Sequence, residues 1–306
     1  MRLAVLPTSV TITEVGPRDG LQNERTLVPA ATKIALIARL AAAGCREIEA
    51  TSFVSPKWVP QMGDAAAVMA GVPRVAGLRY TALAPNLQGF EAALAAKVDE
   101  VAVFVAASES FSQKNINCSI AQSLERAQPI LAAAQVAGLP VRGYVSCVFA
   151  CPYEGRIDAA QVRPVVQALL ELGCREVSLG DTIGAGTAAD VWRLMEVLLA
   201  TLPAERLAGH FHDTYGQALA NVLAALEAGI SRFDSSVGGL GGCPYAQGAT
   251  GNLATEDLVY FLDGLGIGTG IDLDRLCAAG QFIAEALGRP SNSKVARALA
   301  ARAGSR

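Results

Sequence analysis

The stretch LIARLAAAGCREIEATSF, residues 36–53, contains the unit on which the fold prediction rests. Its first half is rich in leucine and alanine, which is typical of a helix. Gly44 stands where a helix commonly ends on a left-handed residue, and the residues after it favour a strand. The same order of helix, small residue and strand recurs in residues 92–106, 132–146, 168–181 and 223–237. The repeat predicts an alternation of helices and strands.

Eight strands can be counted outward from this unit, near residues 10–15, 46–51, 78–83, 99–105, 141–146, 175–180, 207–212 and 232–237. Helices fill the gaps, near residues 31–43, 60–70, 87–96, 120–137, 159–172, 188–201, 216–228 and 255–264. Strands that alternate with helices form parallel sheets, and eight such units close a barrel. The predicted fold class is therefore α/β, a TIM-type (β/α)8 barrel.

One domain is expected to span residues 1–306, with the barrel over about 9–265 and additional C-terminal helices over about 270–303. The two added helices, near 272–287 and 293–302, are predicted to pack outside the barrel. A doubly wound sheet is the alternative, but it would carry a G-x-G-x-x-G motif after the first strand. This chain has GPRDG there, at residues 16–20.

Composition excludes several classes of protein. The chain has a net charge of −3 and its basic residues are scattered, so no nucleic-acid partner is expected. Each apolar run is interrupted by charged residues, glycine or proline, so no membrane span is expected. The first ten residues lack the features of a signal or transit peptide. Seven cysteines without a C-x-x-C pair are consistent with a reducing cytoplasm, at positions Cys45, Cys118, Cys147, Cys151, Cys174, Cys243 and Cys277.

Polar residues collect at the predicted carboxyl ends of the strands, where barrels of this type place their active sites. Arg18, Asp19 and Gln22 follow the first strand, and Glu49 lies in the second. The remaining members follow or end later strands and comprise Tyr144, Asp181, Thr182, His210, His212 and the loop 238–252. We expect these side chains to converge, with Arg18, Gln22 and Thr182 contacting the substrate.

The only two histidines of the chain form the sequence His210-Phe211-His212-Asp213. Side chains two apart on a strand point to the same side, so both imidazoles are predicted to face one point. An inward pair of ring nitrogens needs partners, which a metal ion can supply. An ordinary pair of core histidines is the alternative. The spacing and position favour a metal site.

Further ligands are expected from other strand ends. Asp19 offers a carboxylate, and Asn252, which closes the glycine-rich loop after strand 8, offers an amide oxygen. Asp181 and Asp213 are competing carboxylates. A mixed set of nitrogen and oxygen ligands without sulfur suits Mg²⁺ or Mn²⁺, although zinc or cobalt could also fit.

The segment from Gly238 to Asn252 contains many glycines, so it can close over a ligand or bring its backbone close to one. A plain flexible connection is the alternative. Cys243 lies between this loop's glycines and Pro244, at the predicted catalytic mouth. A thiol placed there can give or take a proton.

Such a site can make and stabilise an enolate. A cation bound to a substrate hydroxyl would lower its pKa, a base would remove the proton, and the adjacent carbon–carbon bond would break. Arg18 could stabilise the negative charge that develops on a thioester oxygen, and Cys243 could return a proton. Glu49 could position Arg18, or could form a salt bridge with it that has no chemical part.

Six segments resemble hydroxymethylglutaryl-CoA lyases. They include EVGPRDGLQNE (14–24) and HFHDTYGQALAN (210–221) and continue with residues 49–62, 142–155, 178–187 and 235–260. The resemblance extends from about residue 10 to about 298. It implies cleavage of (S)-3-hydroxy-3-methylglutaryl-CoA to acetyl-CoA and acetoacetate, in leucine and ketone-body metabolism. It also implies a homodimer.

The resemblance carries residue roles with it. It implies that the metal ligands are Asp19, His210, His212 and Asn252, with catalytic roles for Arg18, Cys243, Glu49, Tyr144 and Asp181. Some close relatives accept longer-branched substrates such as isohexenylglutaryl-CoA, and the sequence does not decide between these and the methyl-branched substrate. A bacterial-type cytoplasmic enzyme is expected, because the transit peptide and the cysteine-containing tail of mitochondrial members do not match.

Two other functions are compatible with part of the sequence. A Claisen-condensing synthase of the isopropylmalate or homocitrate type shares the barrel and the histidine pair, but commonly has His-x-His-Asn-Asp. This chain has His-Phe-His-Asp-Thr at residues 210–214. A barrel that has lost its activity is the second alternative, and it is disfavoured because every motif residue is present.

Overall fold

Eight parallel strands form a closed barrel in the computed structural model, which describes residues 6–242 and 251–303. In chain order, strands β1 to β8 are Thr11–Glu14, Glu47–Ser52, Arg79–Leu83, Glu100–Ala106, Val141–Ser146, Glu176–Asp181, Leu207–Phe211 and Arg232–Ser235. Each strand pairs with its neighbours in sequence, and β8 pairs with β1 to close the barrel. The predicted TIM barrel is confirmed.

Helices α1 to α11 are Ala30–Ala43, Ala65–Gly71, Leu87–Ala95, Glu109–Ile116, Ile120–Ala137, Ala159–Glu171, Ala188–Leu199, Ala218–Glu227, Thr255–Gly264, Leu273–Leu287 and Lys294–Ala303. The helix predicted near 60–70 is divided into a short 3-10 turn, Pro60–Met62, and α2. The elements that were not predicted include α4 and a small hairpin of Ala150–Cys151 with Gly155–Arg156. Further 3-10 turns are Ala204–Arg206 and Val237–Gly239.

Helix α1 shows why the repeated unit folds as it does. Its apolar residues Leu36, Ile37 and Leu40 are fully buried, and Gly44 ends the helix with a φ of 103°. A residue with a side chain would be strained in that left-handed conformation. The chain then reverses directly into β2. The same sequence pattern therefore specifies a helix, its end and the return strand.

The barrel interior is strongly polar, whereas most of the apolar core lies between the strands and the surrounding helices. Arg142 on β5 donates to Asp234 on β8 over 2.6 Å, although two other strands separate them around the barrel. A bond between such strands must cross the interior. Arg142, Glu176 and Asp234 are each at most 2% exposed. Charged side chains therefore fill space that branched apolar residues commonly fill in such barrels.

Ion pairs close the amino-terminal end of the barrel. Glu47 on β2 bonds Arg232 on β8 over 2.6 Å and also pairs with Arg79 on β3. Arg232 approaches Glu176 on β6 to 2.5 Å, and Arg175 pairs with Glu100. Because each carboxylate meets an arginine from another strand, the buried charges are neutralised in place.

The last two helices are attached to the barrel's outer layer. The backbone N–H of Asp272, just before α10, donates to Ala43 at the end of α1 over 2.7 Å. Asp257 in α9 accepts hydrogen bonds from Ser293 Oγ and from the first turn of α11. In the described part of the chain, none of the helices has both the length and the apolar character needed to cross a bilayer.

Two buried carboxyl groups support the turn from which the glycine-rich loop starts. Glu14 accepts hydrogen bonds from the backbone N–H groups of Gly16 and Val237 and from the Thr255 hydroxyl. Glu256 accepts from the backbone N–H of Gly238. Burial raises the pKa of each carboxyl group more than these hydrogen bonds lower it. The pKa of Glu14 is therefore raised to about 7 and that of Glu256 to about 8.

The variant Glu256→Gln is expected to gain stability relative to wild type as the pH rises. A carboxyl with a raised folded-state pKa contributes stability that is complete below its ordinary pKa and is lost as the pH approaches the raised value. Glutamine cannot ionise. The difference in the free energy of unfolding, variant minus wild type, should grow between about pH 5 and pH 8, by at most about 1.4 kcal/mol per pH unit.

Urea unfolding at several pH values, with chelator present so that metal binding does not contribute, measures this difference. Glu91→Gln, on the exposed side of α3, is the matched control and should show no such trend. A pH-independent difference for Glu256→Gln would contradict the assignment.

Candidate metal centre and active site

Three predicted side chains meet at the carboxyl end of the barrel. Ligand atoms of Asp19, His210 and His212 all lie within 4.8 Å of one another. Asp19 Oδ2 is 3.9 Å from His210 Nε2, which is too long for a hydrogen bond but leaves space for an ion between them. A carboxylate and two imidazoles fit a divalent cation such as Mg²⁺, Mn²⁺ or Zn²⁺.

A turn of π-helix, Gly16–Gly20, delivers Asp19 to this point. Pro17 lies at its start, and Glu14 accepts a hydrogen bond from the Gly16 N–H over 2.8 Å, which anchors the turn to the end of β1. Burial alone would raise the pKa of Asp19, but Arg18 and the two histidines outweigh it and lower the pKa to about 2. The carboxylate is therefore charged and ready to bind a cation.

The two histidines are oriented by different acceptors. His210 Nδ1 lies 3.0 Å from the Asp234 carboxylate, and His212 Nδ1 lies 3.0 Å from the backbone carbonyl oxygen of Asp181. If each Nδ1 carries the ring proton, each Nε2 keeps a lone pair for a metal. Hydrogen bonds of this kind commonly orient metal-binding histidines.

The ring charges of the histidines respond to these surroundings. Burial opposes protonation of His210, but Asp234 and Asp19 outweigh it and raise its pKa. Burial and the neighbouring His210 lower the pKa of His212 to about 4. At neutral pH, His212 is therefore the neutral imidazole that metal binding requires.

Asn252 reaches the same cluster from the far end of the glycine-rich loop. Its Nδ2 donates to Asp19 Oδ2 over 2.8 Å and to the carbonyl oxygen of Leu240 over 3.1 Å. Its backbone forms an isolated bridge with His212. The side chain thus contacts the cluster through nitrogen, whereas a metal ligand would be Oδ1. The structure places Asn252 beside the site with this amide orientation.

The competing carboxylates lie elsewhere. Asp213 accepts a hydrogen bond from the Ala218 N–H at the start of α8 and pairs with Lys294 over 2.6 Å. Asp181 accepts hydrogen bonds from the N–H groups of Ala185 and Gly186. Burial raises the pKa of Asp181 to about 6, despite those bonds. Its carboxylate shapes the loop after β6, while its carbonyl oxygen orients His212.

Arg18 is buried beside the metal cluster and is held on three sides. Its Nε and Nη2 both lie 2.7 Å from Glu49 Oε2, and its Nη1 donates to Asp19 over 2.9 Å. The guanidinium carbon lies 5.5 Å from the ring centre of Tyr144. Burial opposes the charge, but Glu49 and Asp19 raise the pKa of Arg18 above its ordinary value. The guanidinium is therefore a fixed positive charge.

Glu49 is fully buried, and its second oxygen, Oε1, has no hydrogen-bond partner among the described residues. Burial raises the pKa of Glu49 even though Arg18 lowers it. An orphan buried oxygen commonly marks a place where a ligand or water binds. Glu49 therefore holds Arg18 through Oε2, while Oε1 remains available to accept a hydrogen bond.

The other predicted residues have less defined roles. Gln22 is half-buried just after the π-helical turn, and Thr182 Oγ1 accepts a hydrogen bond from the Cys147 N–H over 2.8 Å. Cys243, the predicted proton donor, lies outside the described residues. Of the six described cysteines, Cys277 is half-buried and the others are buried, so they do not offer an exposed thiol.

Sequence reasoning missed the polar residues beneath the metal cluster. Arg142 donates to Glu176, to the Tyr144 hydroxyl and to Asp234 over 2.6, 2.8 and 2.6 Å. Ser178 also donates to Asp234, over 2.7 Å. The signal was present in the sequence, because polar residues alternate along β5, β6 and β8. In a barrel covered by helices, a polar face every second residue must point inward.

A groove of about 940 Å³ lies outside the barrel, between α2 and α3, and is lined by small, apolar and polar residues, with Arg74 and Lys97 as the charged ones. None of the residues that line it belongs to the metal cluster. The chemistry of the titratable residues, and not the size of the groove, therefore locates the candidate active site.

Comparison with known proteins identifies the family of the chain. The HMGL-like family model matches residues 9–283. The chain is 59% identical over 298 residues to the 3-hydroxy-3-isohexenylglutaryl-CoA/hydroxy-methylglutaryl-CoA lyase of Pseudomonas aeruginosa, covering 97% of this chain and 99% of that protein.

Solved structures are similar over almost the whole chain. A crystal structure of hydroxymethylglutaryl-CoA lyase from Pseudomonas aeruginosa matches with a TM-score of 0.95 and 59% identity, covering 97% of this chain and 99% of the other. An HMG-CoA lyase from Acinetobacter baumannii, solved with coenzyme A and 3-methylmalate, matches with a TM-score of 0.91 and 40% identity, covering 95% of each chain.

Proposed function

The chain belongs to the HMGL-like family, and from that premise we propose that it is a divalent-metal-dependent carbon–carbon lyase acting on (S)-3-hydroxy-3-methylglutaryl-CoA. The products are acetyl-CoA and acetoacetate. The observation that carries the proposal is the convergence of Asp19, His210 and His212 beside the fixed guanidinium of Arg18. We also propose that the protein is a homodimer and is located in the cytoplasm, as expected from the sequence.

Asp19, His210 and His212 would hold the cation, which we propose to be Mg²⁺ or Mn²⁺, with Asn252 as a further ligand through its amide oxygen. A bound cation supplies Lewis acidity, which lowers the pKa of a substrate hydroxyl next to the bond that breaks. The lowered pKa values of Asp19 and His212 keep these two side chains unprotonated at neutral pH, whereas cation binding competes with protonation of His210, whose pKa is raised.

Arg18 would receive the negative charge that develops on the thioester oxygen as the carbon–carbon bond breaks. A preorganised, desolvated guanidinium stabilises such charge far better than water does. Glu49, Asp19 and the Tyr144 ring fix its position. Cys243 is proposed as the donor that returns a proton to the product carbon. Gln22 and Thr182 are proposed substrate contacts.

A product assay tests the proposal. Metal-loaded protein incubated with 3-hydroxy-3-methylglutaryl-CoA should release acetyl-CoA and acetoacetate in equal amounts. A parallel assay with the isohexenyl-branched thioester measures whether the longer branch is also cleaved, as the name of the Pseudomonas relative indicates for that protein. A condensing synthase would instead consume acetyl-CoA when given a keto acid. Absence of cleavage with either substrate would overturn the proposal.

A further inference from the structure

Asp234 is the only carboxylate, among the described residues, that contacts the Nδ1 atom of either histidine. It lies opposite His210 in the register of β7 and β8, and it is 2% exposed. Its Oδ2 lies 3.0 Å from His210 Nδ1. A carboxylate acceptor at this position favours the ring form that carries its proton on Nδ1, and it makes Nε2 a stronger ligand.

The carboxylate of Asp234 is itself fixed. Arg142 donates to its Oδ1 over 2.6 Å, and the Ser178 hydroxyl donates to its Oδ2 over 2.7 Å. Burial opposes the negative charge, but Arg142 and His210 outweigh it and hold the pKa of Asp234 well below its usual range. Asp234 can neither rotate nor take up a proton without breaking these contacts.

Arg142 extends this arrangement to the other half of the site. It donates to the Tyr144 hydroxyl over 2.8 Å, and the ring of Tyr144 lies against Arg18. Glu176 binds Arg142 on the remaining side, over 2.6 Å. One buried guanidinium therefore connects the carboxylate that contacts His210 with the aromatic ring that lies beside Arg18.

We infer that Asp234, held by Arg142 and Ser178, is a positioning residue that fixes the Nδ1-protonated form of His210 and thereby sets the affinity for the cation. The inference rests on the proposed metal-dependent function. His212, whose Nδ1 contacts only a neutral carbonyl oxygen, provides an internal comparison.

The variant Asp234→Asn tests the inference most directly. Arg142 would bind the amide oxygen of the new side chain, so the NH₂ group of that amide would face His210 Nδ1. That nitrogen would have to accept a hydrogen bond, which moves the ring proton to Nε2, the atom needed by the cation. Loss of a supporting partner commonly weakens metal binding by about 10- to 100-fold, and we expect an increase of that order in the Kd for Mn²⁺.

The histidine composition makes the ring form visible. Because the chain has only two histidines, untagged protein labelled with ¹⁵N-histidine gives two imidazole spin systems. In metal-free wild type at alkaline pH, both should show protonated Nδ1. In Asp234→Asn one of the two should change to protonated Nε2, while the other is unchanged. A variant that had merely lost packing would not exchange its tautomer at one ring.

Ser178→Ala and Asp213→Asn complete the design. Ser178→Ala keeps every charge and removes one support of Asp234, so it should weaken Mn²⁺ binding by a smaller factor, and it carries the test if Asp234→Asn does not fold. Asp213 follows His212 in the sequence, but its carboxylate contacts Ala218 and Lys294 and not the metal cluster. Asp213→Asn should therefore bind Mn²⁺ as the wild type does.

Wild-type Mn²⁺ affinity and an unchanged tautomer in folded Asp234→Asn would overturn the inference. If Asp234→Asn does not fold, wild-type Mn²⁺ affinity in Ser178→Ala would do the same. The proposed function fails in a different way, through wild-type protein that binds no Mn²⁺ or cleaves no 3-hydroxy-3-methylglutaryl-CoA.

Discussion

Removal of the divalent cation is expected to lower the rate of 3-hydroxy-3-methylglutaryl-CoA cleavage by about a thousandfold or more. Lewis-acid stabilisation by a bound cation contributes several kcal/mol to a transition state, and about 4 kcal/mol corresponds to three orders of magnitude in rate. Without the cation, Asp19, His210 and His212 present ligand atoms that cannot replace its double charge. Added Mg²⁺ or Mn²⁺ should restore the activity.

The measurement is kcat on chelator-treated protein, before and after metal is returned, with metal content determined on the same sample. His212→Gln should behave like the metal-free protein and should not be rescued by the metal. Asp213→Asn serves as the matched control and should keep both metal and activity. Full turnover by protein that contains no metal would rule out the mechanism.

Replacement of Arg18 by lysine is expected to lower kcat by about 100- to 1,000-fold, the usual effect of losing one donor to a developing oxyanion. Lysine keeps the positive charge, but it lacks the planar fork that binds Glu49 through two nitrogens and Asp19 through a third. Its ammonium group would be attracted to the carboxylates of Glu49 and Asp19 and would not be held toward the thioester oxygen. The substrate's KM should change much less than kcat, because the contact strengthens in the transition state.

Steady-state kinetics with saturating metal separates the two constants. Arg163→Lys, on the exposed face of α6, is the control for a general effect of the substitution and should leave both unchanged. A variant Arg18→Lys whose kcat stays near the wild-type value would remove the guanidinium from the chemistry, whatever happens to KM.

The fold and the pairing of the two histidines were predictable because each rests on a local period. The recurring helix, glycine and strand of residues 36–53 specified the barrel, and the two-residue spacing of His210 and His212 placed both rings on one side. The position after β1 indicated Asp19 as one candidate carboxylate, beside Asp181 and Asp213.

The support beneath the cluster was not predicted, because it depends on contacts between distant strands. Arg142 and Asp234 are far apart in sequence and meet only once the barrel has closed. The alternating polar residues of their strands indicate an inward face, but they do not indicate which of these residues meet across the barrel. Helix α4 was missed for a different reason: ESFSQKNI, residues 109–116, is too polar to show an apolar stripe.

The charged barrel interior also restricts how this protein can change during evolution. Arg142 binds three partners at once, and Glu176 shares a second arginine, Arg232, with Glu47. Replacing any one of them leaves an uncompensated charge out of reach of water, whereas replacing a matched group by apolar residues can be nearly neutral. Single substitutions here should be strongly epistatic, with effects that do not add. Replacing this arrangement without a large loss of stability would therefore require several exchanges made together.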